Sequence, residues 1–336
     1  MINFETSFVK CAKVAKKNNP GMNDLLIRQT SFRLQSSTKQ DLVVRSKLPL
    51  QANPKGIVLI IPGMAEHAGR YDDFAIFLAE NHFGVYACDH PGHGKSIPSP
   101  AEAGTFPAKR GWQIMLENVR ALYTYIRKNQ PEIPVFIFGH SMGSIIARHF
   151  TALYPVYIQG LVLSGSFIMD PRVLNMALLF MNIKILFEGA DHKSKWFNRT
   201  FYRAFNRHFK NSPTLFEWIS SSREEVDEYV ADPLCGFDCS NAFYLSLLKG
   251  IASTNLAEQL LTYRKTLPVL ILSGHEDPVG NFGKDAVKIH KKYYEQNFQN
   301  LSLKIFPGRH ELLHEKNKDA IYKFLLDWLL ASLEIK

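Results

Sequence analysis

The chain has 336 residues, of which 46% are hydrophobic and 21% are charged. These proportions exclude a disordered chain, and the length is enough to bury one large core or two smaller ones. The formal net charge of +9 permits an anionic partner such as nucleic acid or a lipid surface, although net charge bears on association and not on fold.

The N-terminal segment MINFETSFVKCAKVAKKNNPG contains no apolar run after its basic positions. A secretory signal needs such a run, so we expect none and take the cytoplasm as the compartment. The longest apolar stretch, residues 173–187, is interrupted by Asn175, Asn182 and Lys184 and is shorter than a membrane span requires. The sequence therefore predicts no transmembrane helix.

The cysteines point to neither disulfides nor a metal. Cys11, Cys88, Cys235 and Cys239 form no recognisable disulfide framework in a chain of this length. The C-x3-C spacing of Cys235 and Cys239 has no second pair that would complete a zinc site. We expect reduced structural thiols, no metal and no cofactor.

Nucleic acid is not expected as a partner either, because the modules that carry base-stacking aromatics are absent.

The predicted elements alternate along the chain. Two strand-like segments come first, at 26–35 and 40–48, and are predicted to form a hairpin at the edge of a sheet. Six apolar runs with their turns follow at 56–63, 83–94, 134–143, 158–165, 267–274 and 301–306. Helical patterns lie near 70–81, 108–130, 142–154, 282–296 and 317–334. Fully apolar strands separated by helices indicate an α/β chain with a mostly parallel sheet covered on both faces.

Residues 167–256 break this alternation, because strand signals are absent there and helical, aromatic-rich sequence takes their place. The simplest interpretation is a helical cap inserted after the sixth predicted strand. The chain then divides into an α/β core, residues 1–166 and 257–336, and a cap, residues 167–256. No internal repeat or low-complexity linker argues for a separate domain.

The segment FGHSMGS contains the pattern G-x-S-x-G, with Gly139, Ser141 and Gly143 at its fixed positions. It follows the strand PVFIF and precedes a helical pattern, which is the strand–turn–helix context of a nucleophile elbow. The sharp turn strains the backbone of the serine, so the residues two positions away must lack side chains. Ser141 is the predicted nucleophile, and a purely structural turn is the alternative.

A serine nucleophile needs a base, and that base needs an acid to orient it. Asp277 follows the strand PVLILSG and His310 follows the strand LSLKIF, in the chain order that accompanies this elbow. Both loops lie at the same edge of a parallel sheet as Ser141, so we predict that the three side chains converge. Glu276 is the competing acid, and Asp277 is favoured because Pro278 fixes the turn after it.

Acyl chemistry also needs N–H donors for the oxyanion that develops in the transition state. One is expected from the backbone of Met142, the residue after the nucleophile. The second is expected from Met64 in IPGMAEH, where Gly63 allows close approach of the backbone and Pro62 has no N–H of its own. An ordinary strand-to-helix turn is the alternative interpretation of this loop.

The letters HELLH, which begin at His310, match the zinc signature H-E-x-x-H, in which two histidines on one helix bind one metal. Pro307 and Gly308 come between the preceding strand and this histidine, so it is expected in a loop and not within a helix. We predict that His310 is the base, that Glu311 and His314 are structural, and that the match to a metalloprotease motif is coincidental.

Five ordered motifs resemble those of the α/β-hydrolase serine esterases of the monoacylglycerol lipase and bacterial lysophospholipase group. They are GMAEHAGRYDDFA at 63–75, DHPGHGKS at 89–96, FGHSMGS at 138–144, HEDPV at 275–279 and GRHELLHE at 308–315. A further match in the cap, VDEYVADPLCGF, occupies 226–237. The resemblance covers nearly the whole chain and implies the α/β-hydrolase fold.

The same resemblance implies a carboxylester hydrolase of glycerolipid-type esters, with Ser141, Asp277 and His310 as its triad. One departure concerns the oxyanion loop, because the group usually has His-Gly where this chain has Pro62 and Gly63. A side chain that helps to shape that loop is therefore absent. Loss of activity does not follow, since the expected donors are backbone N–H groups.

The cap segment at 196–210 places aromatic and basic residues on opposite faces of a predicted helix. Its phenylalanines are Phe197, Phe201, Phe205 and Phe209, and its arginines are Arg199, Arg203 and Arg207. Two compatible interpretations are a lid that contacts an anionic membrane and a cap helix that packs Phe inward with Arg in solvent. The stretch at 173–187 is apolar on almost every side, so we expect it to pack in the cap core or to line an acyl-chain pocket.

The leading hypothesis is a serine esterase of medium-chain or monoacyl lipids, of the monoacylglycerol or lysophospholipid type, that works through an acyl-enzyme. An aminopeptidase or amidase with the same triad is the enzymatic alternative, although the arginine stripe of the cap argues against binding of a substrate amine. A non-catalytic hydrolase-like binding protein is the other alternative, and only Pro62 favours it.

Overall fold

The structure is a computed structural model, and it describes residues 9–13, 26–37, 41–50, 53–154, 157–257 and 264–335. Residues 38–40, which complete the predicted hairpin turn, lie outside these ranges, as does most of the N-terminal segment. The expectations for those residues stay predictions.

A sheet of nine strands runs through the described part of the chain. The strands are β1 (Val9–Lys13), β2 (Leu26–Gln35), β3 (Asp41–Pro49), β4 (Gly56–Ile61), β5 (Phe83–Cys88), β6 (Val135–His140), β7 (Gly160–Ser164), β8 (Val269–Gly274) and β9 (Leu301–Phe306). Their order is β1-β2-β3-β5-β4-β6-β7-β8-β9, and all pairs from β5 to β9 are parallel. The prediction of an α/β chain with a mostly parallel sheet is confirmed.

The outer edge of the sheet differs from the prediction. β2 and β3 pair in antiparallel fashion, as the predicted hairpin requires. β1 pairs with the far side of β2, so the hairpin is not the edge of the sheet. Five residues are too few to show a periodic pattern, which explains why this strand was missed.

Nine helices connect the strands within the described residues. They are α1 (Asp72–Glu80), α2 (Gly111–Asn129), α3 (Met142–Leu153), α4 (Pro171–Glu188), α5 (Lys195–Asn206), α6 (Arg223–Ala231), α7 (Asn241–Ala257), α8 (Lys284–Glu295) and α9 (Lys318–Leu333). The five helices predicted outside the cap correspond to α1, α2, α3, α8 and α9, which confirms the alternation of strands and helices.

The two faces of the sheet carry separate hydrophobic clusters. Along β4, Ile57 and Leu59 point to the cluster that contains α2, α3 and α8. The intervening Val58 and Ile60 point to the cluster that contains α1 and α9. Both sets are fully buried, because successive side chains of a strand alternate and both faces are covered. Each such side chain contributes about 1.5–3 kcal/mol relative to exposure. Helices therefore cover both faces, as predicted.

Four helices, α4 to α7, occupy the interval between β7 and β8. Because β1 adds a strand at the start, this interval follows the seventh strand of the structure and not the sixth. α4 and α7 share a hydrophobic cluster with α2 and α3. The division into a core, residues 1–166 and 257–336, and a cap, residues 167–256, stays a prediction.

For residues 173–187, the expectation of packing in the cap core is wrong for most of the helix, whereas the alternative, a pocket wall, agrees with Phe180 and Met181, which line a cavity at Ser141. α4 buries only Leu174, Met181 and Lys184. Leu178 and Ile185 are half-buried against the hydrophobic core. Seven further large apolar side chains are exposed: Val173, Met176, Leu179, Phe180, Ile183, Leu186 and Phe187. A helix that is apolar all round can bury only the stripe that meets its neighbours, and here solvent is left on the other side. Within the described ranges, none of the helices has the length and apolar character of a membrane-spanning segment.

The amphipathic prediction for α5 is confirmed, although the helix is shorter than 196–210. Phe197, Phe201 and Phe205 are half-buried and point inward, whereas the arginines of the stripe are exposed. The helix ends at Asn206, and Phe209 lies in the following turn beneath the guanidinium of Arg309, 4.2 Å from the ring centre. Packing of phenylalanine against the rest of the protein therefore determines the orientation of this helix.

Asp89 holds the loop that follows β5, and its carboxylate offers a test of the fold. Its two oxygens accept the backbone N–H groups of Ala68 and Lys95, each at 2.7 Å. Asp89→Asn replaces one acceptor with an N–H donor, so we expect the free energy of unfolding to fall by about 1–3 kcal/mol. Urea denaturation measures this change. The exposed Asp73→Asn is the control and should cost little; equal stabilities of both variants would contradict the role of Asp89.

Candidate active site

Ser141 lies in the turn between β6 and α3, in a backbone conformation that side chains rarely adopt. Its φ and ψ are 51° and −120°. A Cβ on Gly143 would overlap the carbonyl oxygens of Ile61 and Pro62, and one on Gly139 would meet the carbonyl oxygen of Gly143 at 2.5 Å. Both glycines are therefore required by close backbone packing around the serine.

The three side chains predicted for the triad meet at the carboxyl edge of the sheet. The Ser141 hydroxyl donates to Nε2 of His310 at 2.9 Å, and Nδ1 of His310 donates to Oδ1 of Asp277, also at 2.9 Å. The same carboxylate oxygen accepts the N–H of Val279 at 2.9 Å, and both Asp277 and His310 are buried. Glu276, the competing acid, is 46% exposed and does not lie against the imidazole.

The charged groups around His310 increase its ability to accept a proton from Ser141. Burial disfavours the charged form of His310, but the carboxylates of Asp277, Glu311 and Glu66 outweigh it and raise the pKa of the imidazole. The neighbouring ring of His140, whose centre is 4.8 Å away, has its pKa lowered to about 3 by burial and by His310. Of the two rings, His310 therefore has the higher affinity for a proton, and His140 stays neutral.

The loop that carries Met64 lies against the nucleophile. A Cβ on Gly63 would come within 3.3 Å of Cβ of Ser141, so the two backbones approach closely. Met64 and Met142 both line the cavity above Ser141, and among the described hydrogen bonds none uses either backbone N–H. Met142 opens α3, where N–H groups lack helical partners. Both N–H groups therefore remain candidates for the predicted oxyanion donors.

Two buried side chains hold this loop although Pro62 lacks the imidazole usual in the resembled group. The Nε2–H of His90 donates to the carbonyl of Pro62 at 3.1 Å, and burial lowers the pKa of His90 to about 4, so its ring is neutral. The Glu66 carboxylate accepts the Gly63 N–H, and it also accepts the Tyr71 hydroxyl at 2.8 Å. The shape of the loop therefore does not depend on a side chain at position 62.

A cavity of about 400 Å³ opens above Ser141 between the sheet edge and helices α4, α5 and α7. Its walls are mainly apolar and aromatic, and include Phe167, Met169, Phe180, Met181, Phe197, Phe201, Phe205, Leu247 and Ile251. Polar side chains gather around the serine, namely His140, Glu66, His310 and Glu311. The cavity therefore has an apolar body and one polar end, at the reacting hydroxyl.

Sequence reasoning missed a buried ionic cluster at that polar end. Glu311 pairs with Arg70 through both carboxylate oxygens, at 2.8 and 2.7 Å, and Arg70 also donates to Glu66 at 3.1 Å. These side chains are only 2–9% exposed. Glu66 and Arg70 fall within the quoted segment GMAEHAGRYDDFA, but no local pattern connects them with a residue 241 positions away.

The two histidines of HELLH have different partners. His310 contacts Ser141 and Asp277, whereas Nδ1 of His314 donates to Glu225 of α6 at 2.9 Å. Leu312–His314 is a short 3₁₀ turn, so the two rings are not presented on one face of an α-helix as the zinc motif requires.

One other group of potential ligands lies together in the described part of the chain: His67, Asp232 and Cys235. The Nδ1 atom of His67 accepts the N–H of Gly69 at 3.1 Å, so the hydrogen is on Nε2 and is donated to Asp232 at 2.8 Å. A neutral imidazole in this state has no lone pair free for a metal.

Comparison with known proteins identifies the family. The sequence model of the family described as "Serine aminopeptidase, S33" matches residues 52–317. Monoglyceride lipase of Mus musculus is 29% identical over 264 residues, which cover 78% of this chain and 77% of that protein. Monoacylglycerol lipase of Mycolicibacterium smegmatis is 25% identical over 289 residues, which cover 84% and 90% of the two chains.

A solved structure extends the likeness to the fold. The thermostable carboxyl esterase from Bacillus coagulans, crystallised with glycerol, has a TM-score of 0.79 at 24% identity and covers 91% of this chain and 99% of its own. The molecule is thus an α/β-hydrolase-fold serine hydrolase similar to monoglyceride lipases. The chain belongs to the serine aminopeptidase S33 family.

The raised pKa of His310 generates a pH prediction. The imidazole accepts the Ser141 proton only when neutral, so the rate of covalent labelling by a fluorophosphonate should fall with decreasing pH, through a midpoint above about 6.5. Stopped-time labelling across a pH series measures it. Ser141→Ala should abolish the label and the distant Ser332→Ala should retain it; labelling that is independent of pH from 5 to 9 (roughly the histidine range) would refute the assignment of His310.

Proposed function

We propose that this chain is a serine carboxylester hydrolase that cleaves monoacylglycerol-type esters through an acyl-enzyme. The observation that carries the proposal is the hydrogen-bonded series Ser141–His310–Asp277 at the polar end of an apolar cavity. Ser141 attacks the ester carbonyl while His310 takes its proton, and the N–H groups of Met64 and Met142 receive the oxyanion. His310 then protonates the leaving alkoxide, and water releases the fatty acid.

The charges at the polar end favour a neutral head group. Two buried carboxylates, Glu66 and Glu311, border the cavity, and the guanidinium of Arg70 balances only one of them. A phosphate would add a negative charge beside this net negative cluster in a site of low dielectric constant, which is unfavourable. Glycerol hydroxyl groups carry no such penalty. Monoacylglycerol is therefore favoured over an anionic lysophospholipid, in agreement with the names of the relatives.

An aminopeptidase activity is the second candidate, because it is the description of the family itself. Recognition of a substrate amine would need a carboxylate free to accept it. Both oxygens of Glu311 are already bonded to Arg70, and those of Glu66 to Arg70, Tyr71 and the Gly63 N–H. The geometry supports an ester substrate better. Pro62 was the only feature that favoured a non-catalytic binding protein. Because other side chains hold the loop at Pro62, this feature no longer argues against catalysis.

We further propose that residues 167–256 act as a cap that contacts the membrane in which such lipids reside. The exposed apolar side chains of α4 provide the contact, with Leu186 and Phe187 at 81% and 83% exposure. α5 lies beside α4, where Phe180 and Phe197 stack with ring centres 5.9 Å apart. Its exposed arginines would then border an apolar surface, which suits anionic lipid.

Head-group preference can be tested with two lipids that share one acyl chain. We expect kcat/KM for a 1-monoacylglycerol to exceed that for the matching lysophosphatidate by about ten- to a hundredfold, because of repulsion from the carboxylate cluster. Released fatty acid is measured below the critical micelle concentration of either lipid. The p-nitrophenyl ester of the same acid controls for acyl-chain binding. Equal values for the two lipids would contradict the electrostatic argument.

Membrane contact can be tested on α4. The double variant Leu186→Ser, Phe187→Ser should weaken cosedimentation with vesicles of phosphatidylcholine and phosphatidylglycerol at least about tenfold, since it removes two large apolar contacts. Hydrolysis of soluble p-nitrophenyl butyrate should be unchanged. The matched control is Val287→Ser, Tyr294→Ser on the exposed face of α8. If both pairs reduce binding equally, the contact does not belong to α4.

A further inference from the structure

We propose that Glu311 is a positioning residue of this site: through Arg70 and Glu66 it holds the loop that presents the Met64 N–H, and it places a second buried carboxylate beside His310. This inference rests on the proposed function, since it concerns how the same reaction is supported. It assigns a role to Glu311, the second residue of HELLH, which is not part of the proposed triad.

The ion pair between Glu311 and Arg70 holds both side chains in a fixed orientation. Both carboxylate oxygens accept a guanidinium N–H, at 2.8 and 2.7 Å, and this bidentate geometry fixes the orientation of both planes. The pair lies in the protein interior, where competition from water is small. Its backbone is held as well, because the Glu311 N–H donates to the carbonyl of Ile219 at 2.7 Å and the His310 N–H to that of Trp218 at 3.2 Å.

Arg70 connects Glu311 with the loop that contains Gly63 and Met64, the proposed oxyanion loop. Its guanidinium donates to Glu66 at 3.1 Å, and the same carboxylate accepts the backbone N–H of Gly63, the residue before Met64. The loop is also held from the cap side, where the Tyr229 hydroxyl donates to the carbonyl of Ala65 at 2.9 Å. Glu66 and Tyr229 thus hold Gly63 and Ala65, the two residues that flank Met64, and Arg70 contacts both of these side chains. The Met64 N–H can then point at the oxyanion without reorganisation during the reaction.

The cluster also contributes charge. Two carboxylates and one guanidinium leave one net negative charge in the interior near His310, in addition to Asp277. His310 becomes an imidazolium in the transition state, and nearby negative charge stabilises that form. The ionisable groups that surround its ring are Asp277, Glu66, Glu311, Arg70 and the neutral His140. Loss of the Glu311 charge therefore lowers the proton affinity of the imidazole.

A purely structural brace would behave differently. If Glu311 only joined two segments, its replacement would change stability but would leave the titration of His310 in place. Glu311→Gln is the informative variant, since its amide keeps a hydrogen bond to Arg70 and removes the charge. Glu276→Gln is the matched control, because Glu276 also adjoins a triad residue in sequence but is 46% exposed, and its ion pairs with His275 and Arg309 are long, at 3.6 and 3.9 Å.

The experiment measures the rate of fluorophosphonate labelling of Ser141 against pH for the parent and both variants. For Glu311→Gln we expect the acid limb to move to lower pH by about half a pH unit or more, and the plateau rate to fall about tenfold. Glu311→Ala, which also loses the tether, should lower the plateau further. Glu276→Gln should match the parent, because its charge is screened by water.

A second measurement separates folding from positioning. The downfield proton resonance of the His310–Asp277 hydrogen bond, followed against pH, reports the imidazole titration in each variant without turnover, and thermal denaturation reports its stability. A Glu311→Gln protein with the parent's titration and plateau overturns the proposal, whatever its melting temperature. A parent that shows no labelling of Ser141 defeats the proposed function itself, and the positioning role with it.

Discussion

The close approach of two backbone segments at the turn after β6 is the constraint on which the site depends. Gly143 lies against the carbonyl groups of Ile61 and Pro62 so tightly that even a methyl group would overlap them. The end of β4 and the start of α3 are therefore in direct backbone contact. Because Ser141 stands between them with φ of 51°, its hydroxyl and the neighbouring N–H groups have a fixed relation. The strain in this turn is borne by β6 and α3, which are buried on either side of it.

The parallel sheet brings Asp277 and His310 to the same place. β6, β8 and β9 end at one edge, so the loops that follow them meet although Ser141 and His310 are 169 positions apart. These features were predictable from the sequence because each has a local signature. Buried parallel strands are continuous apolar runs, and polar residues directly after such runs must lie at the carboxyl edge. Asp277 was distinguishable from Glu276 on the same basis, through the proline that follows it.

Features without a local signature were not predictable. β1 has five residues and no periodic pattern. α4 is apolar around most of its circumference, and no property of such a sequence says which stripe will meet a neighbour. The ion pair of Arg70 with Glu311 joins segments 241 positions apart. In the sequence, both residues are indistinguishable from charged residues of the surface. In each case tertiary contacts, and not propensity or spacing, decide the outcome.

In the segment HELLH, the backbone conformation determines which partner each side chain contacts. In an α-helix its two histidines would share one face and could share one metal. Here the first histidine belongs to the loop after β9 and the second closes a 3₁₀ turn, so their rings point to Ser141 and to Glu225. Glu311 between them points instead to Arg70. Three side chains within five residues thus reach Ser141, Arg70 and α6. Rotation of the loop after β9 would have to break all three contacts at once, and this explains why an irregular loop can hold His310, the proposed general base, in place.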